Sequence, residues 1–224
     1  MIDFADQRDW MIEHTIRRRG LSDPALLAAF QAVPREEFVS PEHAGHAYAD
    51  HPLPIESGQT ISQPYIVALT INAARIGPGD KVLEIGAGSG YAAAVIGHIA
   101  GEVIAIERQP ALVELAQARM ERLGFANVRV LAGDGSCGCL EEAPFDAIVA
   151  AASGSHVPQV LIDQLKPGGR IVMPVGEPHE VQTLVKLTRR ADGTIEQEAL
   201  GAVRFVPLIG EHGFRGPGNS SESA

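Results

Sequence analysis

The sequence predicts an α/β fold: a doubly wound, mostly parallel seven-stranded sheet with a C-terminal antiparallel hairpin and an N-terminal helical extension. Three observations carry that expectation. From residue 81 onward, short apolar runs alternate with stretches of helical periodicity, the pattern of a parallel sheet covered on both faces. Residues 84–91 set three glycines two apart between one such run and the helix after it. The last two apolar runs flank the turn-like Asp192-Gly193 instead of a helix.

Each element follows from local signals. Residues 4–19 predict a helix carrying Trp10, Met11, Ile12 and Ile16. A second helix starts at Ser22-Asp23-Pro24, a cap residue and a first-turn proline, carries Leu26, Leu27, Phe30 and Val33, and ends at Pro34. Residues 40–64 are rich in His, Pro, Gly and small polar side chains, so they predict a long loop, which in a compact domain is usually functional. After the turn Gly77-Pro78-Gly79-Asp80, strands are predicted at 81–85, 103–106, 128–132, 146–151 and 170–174. Helices are predicted between them at 91–99, 110–123 and 157–165, the last stopped by Lys166-Pro167-Gly168-Gly169. The closing hairpin is predicted from 182–188 and 202–208.

With 224 residues, 45% of them hydrophobic and 21% charged, the chain suffices for one sizeable core, and its composition excludes general disorder. We therefore read one domain: helices and a functional loop at 1–76 packed on a core at 77–214, then a tail at 215–224 whose composition predicts disorder. The net charge of -10 repels phosphate backbones, and Arg17-Arg18-Arg19 reads as a solvated helix face, so no nucleic-acid partner is expected. No apolar run approaches the ~18 residues that span a bilayer, and the first six residues carry acids where a secretory signal needs bases. A cytoplasmic monomer without a membrane partner is expected. Cys137 and Cys139 lack a second cysteine pair, and His43, His46 and His51 match no zinc spacing, so free thiols and no metal are expected.

The segment Val82-Leu83-Glu84-Ile85-Gly86-Ala87-Gly88-Ser89-Gly90-Tyr91 lets a ligand approach the backbone at a strand-to-helix turn. The dinucleotide fingerprint wants a third glycine where Tyr91 stands, which puts a nicotinamide oxidoreductase last. Glu84 would repel a pyrophosphate but suits an amino group and a sulfonium cation, pointing to S-adenosyl-L-methionine. Glu107 follows the loop by about 20 residues, where a carboxylate accepts ribose hydroxyls. Gly133-Asp134-Gly135 ends the third strand, offering an acid to the adenine amino group. Any one of these acids is explained as well by a strand end or a cap; three at the carboxyl ends of consecutive strands are not.

Gly58-Gln59-Thr60-Ile61-Ser62-Gln63-Pro64-Tyr65 resembles the active-site signature of the protein-L-isoaspartate O-methyltransferase family. Val33-Pro34-Arg35-Glu36-Glu37-Phe38-Val39, Ala47-Tyr48-Ala49-Asp50, Gly133-Asp134-Gly135, Lys166-Pro167-Gly168-Gly169 and Arg204-Phe205-Val206-Pro207-Leu208 are similar to its other recurring segments, over roughly residues 10–210. The resemblance implies a Rossmann-like S-adenosylmethionine-dependent methyltransferase fold. It also implies methyl transfer to the α-carboxylate of L-isoaspartyl residues in damaged proteins and peptides, initiating repair through a succinimide.

An ionised carboxylate is already a nucleophile, so positioning and desolvation should supply most of the catalysis. On that logic Ser62 is the catalytic positioner, and Thr60, Ile61, Ser62 and Val206 bind substrate. The other reading of Ser62 is a cap for the helix that starts at Pro64. The cofactor residues implied are Gln59, Thr60, Ile61, Ser62 and Tyr65, with Glu84, Gly86, Ala87, Gly88, Gly90, Tyr91, Glu107, Arg108, Asp134 and Gly135. The chain departs from the family's pattern at Ile209, where many relatives have a hydroxyl, and at Ser153-Gly154-Ser155-His156, where an alanine and proline run is common. The departure at Ser153 to His156 supports one alternative, a same-fold enzyme acting on a different carboxylate or small molecule; the alternative from another class is a cofactor-binding protein without turnover.

Overall fold

In the computed structural model, which describes residues 3–216, the chain enters through helix α1 (Phe4–Met11). Asp3 caps it by accepting the amide N–H groups of Ala5 and Asp6. The helical path runs on to Arg19 as expected, through a π turn (Ile12–Ile16) and a 3₁₀ turn (Arg17–Arg19), and stops at Gly20 in the left-handed region. Helix α2 (Pro24–Ala32) begins where the cap signal placed it, with Asp23 Oδ1 accepting the Leu26 N–H at 2.9 Å. The expected tail lies, from residue 217 on, outside the described residues.

The 40–64 segment is mostly irregular, as its composition predicts, but folds back on a minimal antiparallel pair, β1 (Leu53–Pro54) with β2 (Thr60–Ile61). Helix α3 (Pro64–Ala74) follows. The core then alternates β3 (Lys81–Ile85), α4 (Tyr91–Gly97), β4 (Glu102–Glu107), α5 (Pro110–Leu123), β5 (Val128–Ala132), β6 (Phe145–Ala150), α6 (Gln159–Asp163), β7 (Leu165–Val175), β8 (Gln182–Arg189) and β9 (Ile195–Val203). The seven strands lie in the order β5-β4-β3-β6-β7-β8-β9, parallel from β5 through β7 and antiparallel from β7 through β9. Strand order reverses between β3 and β6, and in such sheets the crevice beyond the carboxyl ends at that reversal is where ligands bind.

Two cores fill the faces. On one, Val82, Val103, Ala105 and Val149 pack under α1 to α5; on the other, Leu83, Ile104, Ile148 and Ile171 pack under Leu161 of the short α6. The expected 157–165 helix contracts to five residues because Leu165 joins β7 and pairs with Phe145. A register shift there absorbs Pro167-Gly168-Gly169, so the expected strand start at 170 moves back to 165. The last strand is the larger correction. It runs from Ile195 to Val203, not 202–208, because it is a sheet edge whose residues are mostly exposed and carry no apolar alternation. The apolar run at 204–208 instead crosses the end of the sheet and is bridged to it at Pro207, opposite Ser153.

Candidate active site

A cavity of about 890 Å³ opens at the strand reversal. Its wall is built from three sources: the glycine turn after β3, the carboxyl ends of β4 and β5, and the two irregular segments around Ser62 and Phe205.

The glycine turn is shaped by backbone bonds. Gly86 (φ +86°) and Ala87 both donate to the Ile106 carbonyl, at 2.8 and 3.1 Å, which folds the turn back over the end of β4. Gly90 (φ +87°) starts α4; a Cβ there would stand 3.0 Å from Met120 and 3.3 Å from Ala116, so α4 and α5 could not approach as they do. Glu107, at the last position of β4, is buried, and its two oxygens accept the Gly88 and Gln109 N–H groups at 2.9 Å each. A carboxylate has about four lone-pair sites, so Glu107 keeps acceptor capacity toward the cavity it lines.

The Ser62 segment is instead held by side chains from the N-terminal region. Arg35 is wholly buried; its Nη2 donates to the Ser62 carbonyl and its Nε to the Ala47 carbonyl, both at 2.7 Å. Burial pulls the Arg35 pKa down, opposed by Tyr91, whose ring lies 4.6 Å beneath the guanidinium. Asp50 accepts the Tyr65 N–H at 3.1 Å and the Gln63 side-chain amide at 2.8 Å, capping the start of α3. It also pairs with Arg19, whose guanidinium covers the Tyr65 ring. Ser62 is therefore not the cap of α3. Among the described residues its hydroxyl has no hydrogen-bond partner, and it borders both the large cavity and a small adjoining one.

Of the residues expected from sequence, Gln59, Thr60, Ser62, Gly86, Gly88, Glu107, Arg108, Gly135 and Val206 line the large cavity. Ile61, Ala87 and Gly90 are buried beside it as backbone supports. Tyr65 faces Arg19. Tyr91 is turned away: its ring packs edge-on against Phe30 and Phe38 under the N-terminal helices, its hydroxyl has no hydrogen-bond partner among the described residues, and burial pushes its pKa up to about 12. The helix carries that side chain to the core face, so Tyr91 is a packing residue whose side chain does not line the large cavity.

Asp134 is also turned from the cavity. Its carboxylate accepts the Ser136 N–H and hydroxyl and the Glu211 N–H at 2.7–2.9 Å. Partial burial pushes its pKa up, and these hydrogen bonds outweigh it and hold the carboxyl below the usual range. Glu84 faces the small adjoining cavity of about 40 Å³, together with Ser62 and Phe205. Its Oε2 is buried without a partner among the described residues, and burial first, then the charge of Glu107, raises its pKa well above the usual carboxyl value.

Sequence reasoning missed His179 (φ +66°) and Val181, which reach the rim from the β7–β8 turn, and assigned no role to Arg204 and Phe205. The first pair left no local signal; the second lies in the family-like run at 204–208. Of the departures, Ile209 lines the cavity, whereas His156 is exposed and off it.

A parallel sheet closed by an antiparallel hairpin, with a glycine turn and a buried acid at the ends of adjacent central strands, defines the S-adenosylmethionine-dependent methyltransferase class. The sequence profile of protein-L-isoaspartate(D-aspartate) O-methyltransferase matches residues 6–213, and the chain belongs to that family. It is 54% identical over 211 residues to protein-L-isoaspartate O-methyltransferase 1 of Rhodopseudomonas palustris (strain HaA2), covering 94% of this chain and 86% of that one. Among solved structures, a protein-L-isoaspartate O-methyltransferase superposes with a TM-score of 0.81 at 30% identity, over 92% of this chain and 66% of that one. A Plasmodium falciparum protein described as a putative member, in complex with S-adenosyl-L-homocysteine, gives 0.77 at 26% identity over 93% and 99%.

Proposed function

We propose that the large cavity binds S-adenosyl-L-methionine and that the protein methylates the α-carboxylate of L-isoaspartyl residues in damaged proteins and peptides, initiating repair through a succinimide. The observation that carries this reading is the Ser62 hydroxyl: it borders the cavity, is unengaged, and sits on a backbone fixed by a buried arginine. The fit of the cofactor rests on two acids. Glu107 keeps acceptor capacity in the cavity wall for ribose hydroxyls, and Glu84, unpartnered among the described residues on the small adjoining cavity, would answer a cationic amino group or sulfonium once ionised.

When bound, the cofactor supplies a methyl group on a sulfonium, a good leaving group, so an oxygen–carbon bond forms as a sulfur–carbon bond breaks. No base is needed. Ser62 donates a hydrogen bond that orients the carboxylate, with Thr60 and Val206 beside it, while Ile66 and Phe205 form apolar wall that excludes water. Gln59, Gly86, Gly88, Arg108 and Gly135 complete the cofactor side. On this reading residues 1–76 supply most of the substrate and active-site loop, with Gln59 reaching the cofactor, and 77–214 form the methyltransferase core, with Phe205 and Val206 reaching the substrate.

The test is transfer of a labelled methyl group to an isoaspartyl peptide and to its aspartyl counterpart. Transfer to the first alone is expected; cofactor binding with no transfer to either overturns the substrate. Free small acids should compete poorly, since the departure at His156 lies off the cavity. Among the described residues no helix is long and apolar enough to cross a membrane. We further propose a cytoplasmic monomer with no nucleic-acid partner, a reading that the net charge of -10 supports for nucleic acid.

A further inference from the structure

A cluster outside the catalytic apparatus has the chemistry of a metal site. One ligand atom from each of Cys137, Glu211 and His212 lies within 4.8 Å of the other two. The three come from two separate parts of the chain: Cys137 ends the 3₁₀ turn Gly135–Cys137 after β5, and the adjacent Glu211 and His212 sit on the turn that follows Ile209.

The backbones of both turns are fixed by hydrogen bonds. The buried Gln164 donates to the Cys137 carbonyl at 2.8 Å and accepts the Cys139 N–H at 2.8 Å, clamping the bend at Gly138. The second turn is closed by Phe214 N–H on the Leu208 carbonyl at 2.7 Å. It is tied to the first by Glu211 N–H on Asp134 Oδ2 at 2.7 Å and His212 N–H on Ser136 Oγ at 3.0 Å. Gly210 makes this approach possible, because a Cβ there would stand 1.9 Å from Asp134 Oδ1. Among the described residues neither Glu211 nor His212 forms an ion pair, and the Cys137 thiol lies 3.9 Å from Glu211 Oε2. Asp134 adds a further negative charge just outside the trio.

We propose that Cys137, Glu211 and His212 bind a zinc-class divalent cation that straps the 208–214 turn to the turn after β5. Thiolate, imidazole and carboxylate form a mixed soft, borderline and hard donor set of the kind zinc takes, with water as the fourth ligand. Bonds of about 2.0–2.3 Å put tetrahedral ligand atoms about 3.5 Å apart, so the atoms would draw together from within 4.8 Å, a movement that falls to the exposed Glu211 and His212 side chains. The Cys137 thiol releases its proton to solvent as it binds. Because Gly135 and Ile209 line the large cavity, the strap fixes that stretch of its wall; the site itself does not depend on what the cavity binds.

Cobalt(II) tests this directly on chelator-treated full-length protein, since thiolate ligation gives a charge-transfer absorption and four-coordination gives intense visible bands. One equivalent should produce both, zinc should displace it, and zinc should raise the melting temperature. Cys137→Ser should abolish the charge-transfer band, His212→Ala should weaken binding by about tenfold or more, and Cys139→Ser should leave it unchanged. The metal-free variants should melt with the metal-free parent, because the altered groups are exposed or partly so. Absence of the band at one equivalent, its persistence in Cys137→Ser, its loss in Cys139→Ser, or unchanged affinity in His212→Ala would each overturn the site.

Discussion

The two halves of the cavity are held by different means. On the side proposed to hold the cofactor, position comes from the sheet: the glycine turn folds onto the Ile106 carbonyl, and Glu107 is fixed by the Gly88 and Gln109 amides. Arg119, donating to the Ser89 carbonyl at 3.1 Å, is a single side-chain strut there. On the Ser62 side the backbone is irregular, and position comes from a side-chain network. Arg35 and Asp50 hold residues 62–65, and Tyr48 ties them to Arg8 and Glu36 through its hydroxyl. Register shared over five strands is not lost with one side chain, whereas a network of buried polar groups is. The difference teaches where single substitutions should act: truncations under Ser62 should damage stability and turnover together, and truncations around the glycine turn should act mainly on ligand affinity.

The largest test of that contrast is Arg35. Its replacement by Ala leaves the Ala47 and Ser62 carbonyls without their donor, at about 1–3 kcal/mol each, so urea unfolding should report a loss of about 3 kcal/mol. Arg35→Lys is more informative. An ammonium cannot span both carbonyls as the planar fork does, so kcat should fall by about tenfold while affinity for S-adenosyl-L-homocysteine stays within twofold. If that affinity falls as far as kcat, the two halves are not separately held.

Ser62→Ala comes next. Removing one preorganised donor to the reacting group costs about 10²-fold in turnover. Because the hydroxyl has no partner among the described residues, unfolding free energy should stay within about 0.5 kcal/mol. Undiminished turnover on an isoaspartyl peptide would remove Ser62 from the site.

Glu84 tests the cofactor side through pH. Burial raises its folded pKa above the ordinary carboxyl value, so the folded state holds a proton that the unfolded state has lost. Stability is thus unpenalised in acid and declines as pH rises from the ordinary carboxyl range through the raised folded value. Glu84→Gln should therefore melt higher than the parent at neutral pH, with the gap closing in acid, and should bind S-adenosyl-L-homocysteine more weakly. A gap that is constant with pH would mean that Glu84 carries no charge penalty.

The same contrast decides what the sequence made legible. Periodicity gave β3, α5 and β5 at their observed bounds, because strands buried on both faces and a capped amphipathic helix carry dense local signals. It misplaced β9, an exposed edge whose pairing is set by β8 and not by its own residues. Within the site, Glu107 was found because its spacing from the glycine turn is fixed by one βαβ unit. Arg35, Asp50 and His179 were not, since they meet the cavity segments only through tertiary folding, although the first two lie in runs similar to those of the family. Asp134 was read as facing the crevice because nothing local predicts that Glu211 engages it from 77 residues away.

Tyr91 offers the smallest effect and the sharpest separation of position in sequence from position in space. It directly follows the glycine turn, yet its ring belongs to the N-terminal half, wedged against Phe30 and Phe38 with an unpartnered hydroxyl. Burying a hydroxyl without a hydrogen bond costs about 1–3 kcal/mol, and phenylalanine removes that group while keeping the ring contacts. Tyr91→Phe should therefore leave stability unchanged or raise it by about 1 kcal/mol, with cofactor affinity and turnover at parental levels. A tenfold loss of S-adenosyl-L-homocysteine affinity would instead mean that the hydroxyl reaches the ligand, and the packing role assigned to it would be wrong. The ring itself should matter more: Tyr91→Ala removes the surface on which the Arg35 guanidinium rests, so its cost should appear at Ser62, as lost turnover, before it appears in cofactor binding.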